Sequence, residues 1–352
     1  MNKKMLAGAG LVVIVAIAIA YFTVTSLSGP HTKLSQKVEI PSKNAASAIA
    51  YGTHEILLTG PDSFTTYDYT TGQSKVPGGV DLGKNGLANA DTVSVSPDKT
   101  YILFHDVLVT DGGLLAQQLA AQGQDPAADY WWVYNTKDNS FHNLPPDTMI
   151  AKLSGDTVYA LEYSPGATLN SYNPDTMEQK NSLSVLSSVN DFYVVDKGFL
   201  LQTYTDKVYY TSDNIVNDQL FDTGALVGVT ADKKTAFVVK TENKIRSLVR
   251  VDVANNNAES TVASTVYDTP ILSQSLGLVL YNTTAKGDYT LYTISSKETR
   301  KLAFGAGALP NIATDKDTSP VTPSAIVSND AIIASDNNGK YYVIGNNLHG
   351  AK

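Results

Sequence analysis

The chain has 352 residues, 43% of them hydrophobic and 17% charged, with a formal net charge of −8 and no cysteine. The apolar content argues against wholesale disorder, the acidic balance argues against a nucleic-acid-binding surface, and the missing thiols exclude disulfides, thiolate zinc sites and cysteine nucleophiles. At roughly 150 residues per domain the length suggests two domains, with one large all-β domain as the alternative.

Residues 1–4 carry Lys3 and Lys4, and an uncharged apolar run of 20 residues follows from Met5 to Val24. At about 1.5 Å per residue such a run covers the roughly 30 Å of a bilayer's hydrocarbon core. The expectation is a transmembrane signal anchor over 5–24, with residues 1–4 in the cytoplasm and the rest outside, because the lysines stay inside. This makes a single-pass protein of the cell membrane. A cleaved signal peptide is the competing reading, since Ala16-Ile17-Ala18 and Ala18-Ile19-Ala20 both fit a small-x-small cleavage pattern, and the product would then be secreted. The run continues through Tyr21 and Phe22 past those sites, which favours retention. Beyond the anchor the remaining chain carries about −10, since both lysines lie across the membrane.

Residues 25–35 read as a polar linker of 11 residues, able to reach at most about 35–40 Å. From residue 36 to 349 the chain alternates short Tyr-, Val-, Thr- and Ile-rich stretches with turn clusters, the pattern of strands of roughly 4–7 residues. Two segments align closely, VSVSPDKTYILF from Val93 to Phe104 and VGVTADKKTAFVV from Val227 to Val239. Each is a strand, an Asp-Lys turn and a strand. A second hairpin follows each such unit, with turns near Tyr69, Asn135, Asn173, Thr211, Asp252 and Thr293, spaced by 66, 38, 38, 41 and 41 residues. The interval of 66 is one repeat plus an insertion. A unit of about 40 residues with two hairpins is the signature of a four-stranded propeller blade.

Seven units predict an all-β, seven-bladed propeller over 36–349. Its last blade lacks a fourth strand, and Gln36–Ile40 is a strand to spare, so the N-terminal strand is expected to close the ring. Six or eight blades, or a pair of β-sandwiches, are the alternatives. Ser96-Pro97-Asp98-Lys99-Thr100, followed by Tyr101-Ile102-Leu103-Phe104, resembles the SPDG hairpin of bacterial WD-like propellers, including the periplasmic Tol-system propeller. Lys99 stands where that pattern has Gly. The resemblance implies a propeller that displays loops for partners.

Propeller connectivity puts blade-to-blade links and the turns between second and third strands on one face, the top. An outer strand entering at Gln36 starts at the bottom, so the linker is expected to join the bottom face. Three long connections fall on the top, at Val76–Ala90, Val107–Asp129 and Phe304–Pro320, in the sector of blades six, seven, one and two. Leu114 to Ala121 within the second has helical spacing, ended by Gly123 and Pro126. His105 and Asp106 lead into that insertion, and Asp129, Tyr130, Trp131 and Trp132 lead out of it. These six are the candidate binding residues. Alternation along a strand sends Trp131 and Trp132 to opposite faces, so at least one is expected to be inter-blade core.

Tests for chemistry return little. A sialidase needs three converging arginines, and Arg246 and Arg250 share one strand while Arg300 lies in an outer one. Of five histidines, His31 lies in the linker, His54 in a bottom turn, His142 in an outer strand and His349 in the tail, leaving His105 alone near the top. No G-x-S-x-G, H-E-x-x-H or P-loop occurs, and no cofactor or metal is expected. Function is therefore read as binding or scaffolding of a protein partner or a surface glycan, without nucleic acid, with the membrane held through 5–24. A propeller-type hydrolase or lyase with a site in the central top channel is the alternative. Asn282-Thr283-Thr284 is a glycosylation sequon, meaningful only in a eukaryotic secretory route.

Overall fold

A computed structural model describes residues 31–41, 47–60, 64–75, 90–106, 130–163, 166–212, 215–253, 258–284, 288–304, 321–336 and 338–350. The expected anchor over 5–24 and nearly all of the three long top connections lie outside these residues. Among the described residues no helix is long and apolar enough to cross a membrane.

The described strands form seven sheets. From axis to rim, blade one holds Ser47–Ala50, Glu55–Thr59, Phe64–Asp68 and Ser74–Lys75, and blade two holds Ala90–Val95, Tyr101–Asp106, Tyr130–Asn135 and Ser140–Asn143. Blade three holds Thr148–Ser154, Thr157–Glu162, Thr168–Tyr172 and Gln179–Ser184. Blade four holds Val189–Val195, Gly198–Thr203, Lys207–Ser212 and Ile215–Thr223. Blade five holds Ala225–Val229, Thr235–Glu242, Ile245–Asp252 and Ala258–Ala263. Blade six holds Ile271–Ser273, Leu278–Asn282, Tyr289–Thr293 and Glu298–Phe304. Blade seven takes Thr322–Ser328, Ala331–Ser335 and Tyr341–Gly345 from the end of the chain and Gln36–Glu39 from its beginning. The first strand of each blade touches the first strands of both neighbours, so these seven line the axis in a closed ring.

Ring closure by the N-terminal strand is as expected: Gln36 pairs with Gly345 and Glu39 with Tyr342, antiparallel. The linker is not. His31–Leu34 forms a fifth strand on blade six, parallel to Glu298–Phe304, with His31 opposite Lys301 and Leu34 opposite Phe304. The expected linker of 25–35 is therefore strand over 31–34, laid along the rim of blade six. The reason is local: Leu34 is an apolar residue with a seam to fill. It is fully buried with Leu280, Leu291, Ile326 and Ile344 between blades six and seven. The following Ser35 is held by its amide and hydroxyl on Asn346 Oδ1, at 3.2 and 3.0 Å. At the other end of the chain, the His349 amide donates to the Tyr69 carbonyl at 2.8 Å. A Cβ on Gly72, whose φ is +71°, would run into the His349 ring. Blade seven is thus clasped to blade six by the N-terminal segment and to blade one by the C-terminal one.

The core is seven apolar clusters, one in each seam between neighbouring blades. Period-two alternation explains this, because each blade presents one set of side chains to each neighbour. The repeated Asp-Lys turns carry their own chemistry. Asp98 accepts from Ser96 Oγ at 2.7 Å and from Thr100 Oγ1 at 2.5 Å, while Ser96 Oγ accepts from the Tyr101 amide at 2.9 Å. The Thr100 and Ser96 hydroxyls hold the Asp98 carboxyl down at about 2. Its contribution to stability is therefore present above the ordinary value and lost only as pH falls toward 2. Thr230 and Asp232 repeat the arrangement at 2.5 Å.

The residue after each of these aspartates, Lys99 or Lys233, sits at φ of 60° or 61°, the left-handed region that glycine prefers. Lys99 has an inter-blade use: its ammonium pairs with Glu55 at 2.9 Å. Lys233→Gly is expected to raise stability by about 1 kcal/mol through relief of that conformation. Denaturant unfolding measures it, and a loss of stability would mean the turn is unstrained with lysine.

Candidate binding face

The two halves of the blade-two set meet as the hairpin rhythm requires. His105 lies opposite Trp131, Asp106 opposite Tyr130, and Phe104 opposite Trp132. Asp129 lies outside the described residues, and Asp106 and Tyr130 are described in their backbone alone. Alternation separates the tryptophans as expected. Trp131 is buried in the seam with blade three, among Leu103, Val133, Ala160 and Tyr172. Trp132 is half-buried against the seam with blade one, beside Phe64, Phe104 and Tyr134. The His105 ring stacks on Trp131 with centroids 4.3 Å apart and planes 20° from parallel. Asp91, on the inner strand opposite His105, has its carboxyl raised by burial, with His105 opposing the shift. Trp131 therefore offers no open face on which a sugar could stack.

One buried acid escaped the sequence. Glu162 ends the second strand of blade three and accepts from Tyr172 Oη at 2.6 Å and Asn170 Nδ2 at 2.7 Å. Burial raises its carboxyl above the usual range, and both hydrogen bonds work against that rise. A glutamate at a strand end ordinarily reads as solvated. The available signal was phase: Glu162 shares its face with Val158 and Ala160, the face packed on blade two.

The axis holds a different trio. Lys152 on the inner strand of blade three reaches Asp191 on that of blade four at 2.6 Å. Its ammonium stands 3.3 Å from the Tyr193 ring centroid. Burial lowers the lysine and Asp191 opposes it, while burial and then Asp191 push the Tyr193 hydroxyl up. The trio ties the inner strands of two neighbouring blades together. Among the described residues no three His, Asp or Glu side chains converge as a metal site would need. Arg246 and Arg250 lie on one strand of blade five and Arg300 on the outer strand of blade six, as the sequence implied. Asn282 of the sequon is 2% exposed, with its carbonyl oxygen accepting from the Asp268 amide at 2.8 Å and its amide donating to Asp268 Oδ2 at 2.6 Å. That side chain is a structural tie for the connection into blade six, closed to a glycan in the folded protein.

Among the described residues, four of the seven large exposed apolar side chains lie on the top, while Val93, Met149 and Leu220 lie within strands of blades two, three and four. Leu186 lies between blades three and four, Tyr204 on the turn between the second and third strands of blade four, Ile245 at the start of the third strand of blade five, just past the corresponding turn, and Tyr267 between blades five and six. Tyr204, Ile245 and Tyr267 are 64%, 55% and 56% exposed. Their backbones are pinned. The Tyr204 amide donates to Ser188 O at 3.2 Å, the Tyr267 amide to Asn282 O at 3.0 Å, and Arg246 Nη1 to Tyr267 O at 2.6 Å. Scattered surface hydrophobics are ordinary. Four such groups sharing one face on braced connections suit a docking surface. This sector of blades three to six was not singled out by loop length, because its connections are short.

No family model matches the chain, and no curated protein matches it. Solved structures match its shape. A chain in the crystal structure of a mitotic checkpoint complex is 9% identical with a TM-score of 0.54, covering 89% of this chain and 92% of that one. The Myceliophteria thermophila Cps50 (Swd1) β-propeller domain is 9% identical with a TM-score of 0.54, covering 88% and 99%. The Neurospora crassa Pan2 WD40 domain is 9% identical with a TM-score of 0.52, covering 89% and 94%. At such identity the likeness is one of fold: a WD40-type propeller with seven blades.

Proposed function

We propose that the chain is a membrane-anchored, extracytoplasmic propeller that binds or scaffolds other proteins of the cell envelope through its top face. The exposed side chains of Leu186, Tyr204, Ile245 and Tyr267 carry this reading, since aromatic and apolar groups on a rigid frame gain most when a partner covers them. The similar chain in the mitotic checkpoint complex belongs, by that description, to a protein assembly. The apolar run from Met5 to Val24, behind Lys3 and Lys4, supports the anchor and the outward orientation. Of the candidate residues His105, Asp106, Asp129, Tyr130, Trp131 and Trp132, all but Asp129, which lies outside the described residues, stand at the top end of blade two, and in this reading they mark the edge of the docking surface over the stacked His105–Trp131 pair.

The test uses the tagged full-length chain, solubilised from its own membranes, beside a variant with Leu186, Tyr204, Ile245 and Tyr267 all changed to Ser. Loss of more than about tenfold of the co-purified partner is expected, the size of a hot-spot cluster. Circular dichroism should show an unchanged fold. Equal recovery by both proteins would remove the top face as the docking surface.

A further inference from the structure

The rim of blades six and seven, on which residues 31–39 lie, has a charge unlike the other outer strands. Residue 31 already pairs at the middle of the outer strand of blade six. Only seven peptide steps separate it from Val24, a reach of at most about 25 Å. If 5–24 is anchored, blade six is the part of the ring that the bilayer meets.

The strands of that rim, His31–Leu34, Gln36–Glu39 and Glu298–Phe304, carry Lys33, Lys37, Arg300 and Lys301 against Glu39 and Glu298, a formal +2. Lys297 in the adjoining turn makes it +3. The outer strands of blades one to five together carry Lys75 and Lys180 against Asp218, Asp222 and Glu259, a formal −1. Lys33, Lys297 and Lys301 are exposed. Arg300 is directed toward the blade-seven turn by a bond to Asn329 O at 3.4 Å. Lys37 lies over the Tyr342 ring at 4.2 Å. A cationic edge on a domain of about −10 is thus placed where the tether leaves it.

We propose that the rim of blades six and seven is a membrane-contacting surface that takes anionic phospholipid headgroups. This rests on the anchored reading above. The two signals are complementary: a short tether confines the rim to the headgroup layer, and the lysines there gain from negative surface potential within a Debye length. The consequence is orientation. The ring is held at one edge, with the outer strand of blade three on the far side and the top face open to partners.

The absence of cysteine lets one introduced thiol be labelled uniquely. The full chain is reconstituted into vesicles of neutral phosphatidylcholine, with or without phosphatidylglycerol, bearing acceptor dyes on the headgroups. Donor dyes are placed at Thr299→Cys on blade six or at Ser182→Cys on blade three, both exposed. Energy transfer from position 299 is expected to exceed that from 182 by at least about twofold in anionic vesicles. The gap should narrow in 1 M salt, where screening is about 3 Å, and also in a Lys33→Glu/Lys301→Glu variant. Circular dichroism of these surface changes should match the parent. A gap that neither anionic lipid, salt nor the variant alters overturns the cationic rim while leaving the anchor standing. Failure of the full chain to float with vesicles overturns the anchor and the rim together.

Discussion

Deletion of residues 31–40 is expected to open the ring and leave a chain that aggregates instead of giving a monomeric propeller. These residues supply the fifth strand of blade six and the outer strand of blade seven. They also supply Leu34 and Ile40, which are 0% and 1% exposed in the seams on either side of blade seven. Without them two outer edges lose their partners, and exposed edges template association. The graded test is Leu34→Ala, which removes a filled position in a seam that cannot collapse easily. Its expected cost is about 2–5 kcal/mol. With an unfolding entropy of about 2.1 cal/mol/K per residue, that is a fall of roughly 3–8 °C in the thermal midpoint. Ile40→Asp should cost more, since it buries an unpaired charge. A midpoint unmoved by Leu34→Ala would mean that blades six and seven hold without the clasp, and the parallel strand would then be an accessory.

The second large effect is at Glu162. Glu162→Ala removes the acceptor for both Tyr172 Oη and Asn170 Nδ2 inside a seam. Stranding two buried donors is expected to cost about 2–4 kcal/mol, readable in denaturant unfolding. Glu162→Gln keeps the shape and one acceptor, and separates titration from packing. The carboxyl is raised in the folded state, so folding favours its protonated form. That part of the stability is fully present below the ordinary value of 4.5 and lost as pH rises through the raised one. The parent should therefore lose stability relative to Glu162→Gln across that interval, and differ from it by a constant amount above it. A difference between the two that does not change with pH would show that Glu162 is not held in a desolvating site.

Much of the fold was legible because propeller blades are built from local contacts. The period near 40 residues, the Asp-Lys turns and the strand alternation are all short-range features, and each survives in the structure: Ser96 with Asp98, Thr230 with Asp232, Trp131 and Trp132 on opposite faces. Even the closing strand could be counted, since a blade one strand short and an unassigned Gln36–Ile40 run have one economical solution. The fifth strand was not legible. His31–Leu34 is four residues of mixed polarity, and only Leu34 meeting the blade-six seam makes it a strand. Loop length likewise drew attention to blades six, seven, one and two, whereas Leu186, Tyr204, Ile245 and Tyr267 are exposed at short connections of blades three to six.

The sequence alone determined the strand-rich repeat and pointed to seven blades closed by the N-terminal strand, because alternation and turn chemistry act over a few residues; the structure fixed the number at seven. The tertiary structure decided which polar groups are buried and that residues 31–34 join the rim of blade six. Glu162 and Asn282 look like surface residues until Tyr172, Asn170 and Asp268 are brought against them from other strands and connections. The rim of blade six gains its lysine-rich edge only when residues 31–37 are laid beside 297–301, which are far away in the chain. Burial and charge at such places are sums over contacts distant in sequence, and no local pattern contains those sums.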